Sequence, residues 1–156
     1  MSRRAVAVLL TLAALAATAG CASDRSTAPD GYAWSYLDNP GEGPKLAYGR
    51  PDSDDVLLML NCGEGPAKVT LTATGLSGRQ IALASGRTVT RLPARAIASQ
   101  AGQGVLEART STDAAALSAF RRTGALDLLV ASERHGMPAR DGEHARVKAF
   151  FKACSA

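Results

Sequence analysis

The chain has 156 residues, a formal charge of +4, and 46% hydrophobic but only 4% aromatic residues. That length suits one compact domain and leaves too little for two once a leader is set aside. The 18 basic and 14 acidic residues are scattered; no Lys/Arg run marks a nucleic-acid surface, and no nucleic acid is expected as a partner.

Arg3 and Arg4 precede an apolar run from Ala5 to Gly20, which ends at Cys21. Basic residues followed by roughly fifteen apolar ones form the pattern of an export signal. The run is shorter than the ~20 residues of a membrane span. Thr18-Ala19-Gly20-Cys21 resembles the lipobox of bacterial lipoproteins, in which small residues before the cysteine admit a dedicated peptidase; the family more often has Leu where Thr18 stands. The resemblance implies cleavage before Cys21, a palmitate-type lipid on that cysteine, and a membrane anchor. Ala22 and Ser23, by similarity to enterobacterial lipoproteins, imply sorting to the outer membrane, facing the periplasm. Ala17-Thr18-Ala19 is also an A-x-A site, and cleavage there would release a soluble protein. The expected organisation is a signal peptide over 1–20, a lipidated N-terminus and flexible tether over 21–31, and a single β-rich domain over 32–156. Loss of Arg3 and Arg4 leaves 16 basic residues against 14, or +2.

Residues 32–37 (YAWSYL) alternate, so Tyr32, Trp34 and Tyr36 share one face of a predicted strand. A turn cluster over 38–44 leads to a short strand at 45–49 and another turn at 51–55. Residues 56–62 (VLLMLNC) are the most apolar run after the leader and read as a strand buried on both faces. Gly63-Glu64-Gly65-Pro66 repeats the tetrapeptide at 41–44 and reads as a second turn. Alternation predicts strands at 67–73, 79–84, 88–92 and 105–109, with turns between, which indicates an antiparallel sheet or sandwich. An Ala-rich helix is predicted over 112–122, a strand over 125–131 and a charged loop over 133–143. In the last segment Val147, Phe150, Phe151 and Cys154 stand at i, i+3, i+4 and i+7, one face of a helix. The fold class is therefore α+β, mostly β: an antiparallel sheet with a short helix and a C-terminal helix packed on it.

Cys62 and Cys154 form an even pair in an exported chain, which is read as a disulfide. It would close a loop of about 90 residues and contribute roughly 4 kcal/mol in the chain-entropy model. The rival reading makes one of them a nucleophile or metal ligand. No nucleophile elbow, phosphate-binding loop or zinc-ligand spacing occurs in the sequence. His135 and His144, nine apart, flank a Gly/Pro-containing loop, and Asp52, Asp54 and Asp55 form an acidic cluster without EF-hand order. No catalytic residue, metal or cofactor is assigned.

The Tyr32, Trp34 and Tyr36 face is the candidate ligand face, since aromatic rings can stack on sugars or grip a peptide; the alternative is that these residues are core. Trp34, Tyr48-Gly49, Asp54-Asp55 and Phe150-Phe151 with Cys154 together resemble small exported proteins of proteobacteria, a resemblance that assigns no activity. The expected function is a non-catalytic envelope lipoprotein that binds a protein or peptidoglycan partner. The alternatives are an envelope hydrolase built on His135 or His144 with nearby carboxylates, and a periplasmic carrier of a small ligand or metal.

Overall fold

A computed structural model describes residues 25–26, 28–65, 68–99 and 102–155. The strands are β1 (Arg25–Ser26), β2 (Ala33–Asn39), β3 (Gly43–Gly49), β4 (Val56–Cys62), β5 (Val69–Thr74), β6 (Gln80–Ser85), β7 (Thr88–Ile97), β8 (Val105–Thr110), β9 (Asp127–Val130) and β10 (Glu133–Gly136). The helices are α1 (Ala115–Thr123) and α2 (Glu143–Cys154). The strands form one curled sheet in the order β1-β10-β9-β6-β7-β8-β5-β4-β3-β2. All neighbours are antiparallel except β1 and β10. The expected α+β class, mostly β with a C-terminal helix on the sheet, is what the chain adopts.

The curl turns on β7. Its first six residues pair with β6 and its last four with β8, and Pro93 stands where the partner changes. Proline has no N–H to give to a ladder, so it belongs at such a corner and not mid-strand. The result is two limbs: β1, β10, β9 and β6 on one side, and β8, β5, β4, β3 and β2 on the other. β5 shows the underlying rule, with Val69, Leu71 and Ala73 buried and the threonines between them half-buried.

Both helices fill the hollow of the curl, α1 against β6 and β7, and α2 against β2 and β3. Val147, Phe150, Phe151 and Cys154 are all buried, so the face of α2 is the one its spacing predicts. α1 begins three residues later than expected. In its first turn the Ala116 amide donates at 3.0 Å to the hydroxyl of Thr90 on β7, a partner no local pattern reveals. Gly124 ends α1 at φ 70° and donates to the Phe120 carbonyl, a left-handed cap that only glycine adopts without strain.

Three expectations are corrected. The strand over 56–62 is buried on one face: Leu58 and Leu60 are fully buried, while Met59 between them is only half-buried on the other side. Length and apolarity alone do not tell a one-sided strand from a two-sided one. The loop expected over 133–143 contains β10. Its polar Glu133-Arg134-His135-Gly136 stretch is held by backbone pairing with β9, not by an apolar face. The tether expected over 21–31 is interrupted by β1, which pairs in parallel with Arg134 and His135.

Candidate functional site

The aromatic face built by β2 faces inward. Trp34 has no exposed surface and Tyr32 is 8% exposed, while Tyr36 is half-buried against the same core. Trp34 lies 5.1 Å from Tyr48 and 4.8 Å from Phe120 between ring centres, and it donates from Nε1 to the Met137 carbonyl at 3.0 Å. Tyr32 and Trp34 are therefore core, not a ligand face. In a chain with seven aromatics, large rings are needed to fill the hollow between two limbs of mostly aliphatic residues.

The Tyr32 hydroxyl reaches the Asp55 carboxylate at 2.5 Å. That hydrogen bond, with burial and the negative charge of Asp55, raises the Tyr32 pKa above 10.0, against a smaller opposing pull from Arg50. Tyr36 is raised by burial and by its hydrogen bond to Asp38, 3.2 Å away. Burial also raises Tyr48, whose hydroxyl has no hydrogen-bond partner among the described residues.

β2 is an edge strand, and α2 closes part of its edge. The Glu143 carboxylate accepts from the Trp34 amide at 3.2 Å and from the Arg140 amide at 3.2 Å. Arg146 donates to the Trp34 carbonyl at 3.1 Å. These side chains satisfy backbone groups that would otherwise invite a foreign strand.

Cys62 and Cys154 stand as a disulfide pair, with Cα atoms 5.4 Å apart and a sequence separation of 92. The bond ties the buried face of α2 to the end of β4, as the helical spacing predicts. Cys21, the expected lipid attachment point, lies outside the described residues, as does the signal over 1–20.

Among the described residues the two histidines have different neighbours. His144 meets the Arg121 carbonyl at 3.0 Å, and His135 lies 3.7 Å from Glu133. Asp55 of the acidic cluster serves Tyr32 and Arg50. No group of three or more His, Cys, Asp or Glu side chains placed to hold a metal occurs among the described residues, and no helix among them is long and apolar enough to cross a membrane.

One cavity, of about 270 Å³, opens where the limbs face each other. One wall is Leu57 of β4, Thr74 of β5 and the following Gly75-Leu76; the other is Leu128, Val130, His135, Gly136 and Met137 from β9 and β10. Pro29, just after β1, completes it. Among the described residues its lining has no Phe, Tyr or Trp, and His135 is the titratable side chain there. A second depression, on β7 and β8, is shallower and carries the exposed Arg95–Glu107 pair at 2.6 Å. Sequence reasoning misses the cavity because its walls come from four distant stretches, none with a local motif.

No protein-family model, no curated protein and no solved structure matches the chain.

Proposed function

We propose that the chain is a bacterial envelope lipoprotein, cleaved before Cys21 and held by lipid on that cysteine at the outer membrane, with a non-catalytic binding domain facing the periplasm. The anchor reading rests on the basic-apolar leader that ends at Gly20-Cys21. A disulfide pair suits an oxidising compartment. The observation that carries the binding reading is the cavity between the limbs: it is concave and mainly apolar, with few polar groups, the make-up of a small-ligand site.

Labelled palmitate should enter the wild-type protein and not Cys21→Ser. Incorporation into both, or into neither, overturns the anchor. A hydrolase remains the second reading because His135 and Glu133 stand together beside the same cavity. It would show as turnover of an ester held there, lost in His135→Ala.

A further inference from the structure

We propose that the cavity between the limbs binds the aliphatic chain of a neutral single-chain amphiphile, such as a monoacylglycerol, with the polar end at Thr74 and His135. Among the described lining residues, Leu57, Leu76, Leu128, Val130 and Met137 are aliphatic or thioether side chains and none is Phe, Tyr or Trp, so these walls offer a sugar or a base little to stack on. A polar ligand would lose its hydration against these walls without finding partners. An alkyl chain loses nothing of that kind, and Met137 adapts to an irregular, flexible shape. At about 270 Å³ the cavity is smaller than a pocket for a two-chain lipid and suits part of one chain.

The head of the ligand meets different chemistry. Thr74 offers a hydroxyl and His135 a ring nitrogen, both of which can bond to alcohol oxygens. Glu133 sits 3.7 Å from His135, so a carboxylate head would face a like charge. That favours a neutral head over a free fatty acid.

The source follows from the place of β1 beside the cavity. Ser26 is the register partner of His135 on the cavity wall, and Pro29 is part of that wall. Cys21 is five residues before Ser26, a reach of at most about 18 Å. Supply from a nearby bilayer rests on the anchor reading given above. The binding itself does not, because it is tested on Cys21→Ser.

The experiment is displacement of the fluorophore N-phenyl-1-naphthylamine from purified Cys21→Ser by monoacylglycerols of increasing chain length. Affinity should rise about fourfold per methylene and level off once the cavity is filled. Val130→Trp, which places an indole in the cavity, should weaken binding at least tenfold while the far-ultraviolet circular dichroism stays unchanged. Leu57→Phe is the second variant should Val130→Trp fail to fold. Affinity independent of chain length, or indifferent to filling of the cavity, overturns the proposal. The lipidated wild type should bind equally well. Refusal by the wild type alone would assign the cavity to the acyl group on Cys21 and overturn the external ligand.

Discussion

Tyr32 joins the core to the surface through one hydroxyl. Its ring packs 5.9 Å from that of Tyr48, and its oxygen reaches Asp55. Because the folded pKa is raised, an unfolded tyrosine releases its proton first as pH climbs past 10.0. The contribution of this group is thus complete below that pH and is lost above it. Tyr32→Phe should cost about 1 kcal/mol at pH 7 for the lost hydrogen bond. The gap between the two proteins should narrow in thermal melts above pH 10; a constant gap would contradict the assignment. Gly49 shows a different residue-scale constraint. A β-carbon there would overlap the Asp55 carbonyl oxygen and come within 2.8 Å of the Val56 Cα, at a bulge between β3 and β4. Backbone atoms cannot give way as a flexible side chain can, so the Tyr48-Gly49 pair fixes how the loop over 50–55 leaves the sheet.

At the scale of elements, the clearest dependence is of β2 on α2. Glu143 is buried, yet it spends its carboxylate on the amides of Trp34 and Arg140. Glu143→Ala should destabilise the fold by about 1–3 kcal/mol, because a buried Trp34 N–H is left bare. Denaturant unfolding of the variant checks this, and an unchanged midpoint would mean that water or another side chain fills the gap. The elements also show what could be read in advance. α2 was legible to the residue because its four buried apolar side chains follow the helical period, its cysteine among them. β5 and β6 were legible from alternation. β10 was not, because Glu133-Arg134-His135 carry no apolar pattern and the strand exists through its neighbour. The start of α1 was hidden for the same kind of reason, the partner of its first-turn amide being Thr90 on another strand.

For the whole molecule, legibility ends where distant segments meet. The pairing of Cys62 with Cys154 could be argued from two local patterns, but the cavity could not, since Pro29, Leu57, Leu76 and Val130 have no common signature. The fate of Trp34 was likewise undecided by alternation, which says which side chains share a face but not what covers them. Once α1, α2 and both limbs are in place, its indole is enclosed by Tyr48, Phe120 and the Met137 carbonyl. The disulfide has a further consequence, for how the chain would survive a protease. Cys62 and Cys154 bracket every residue from β5 through most of α2 in a covalent ring. A single cut inside that ring, for instance in the exposed Gly102–Gly104 stretch, opens the ring but frees no fragment. Limited digestion should give one nicked species of nearly full mass on a non-reducing gel and two pieces after reduction. Both pieces would stay joined through the Cys62–Cys154 bond, so one cut would not by itself break up the domain.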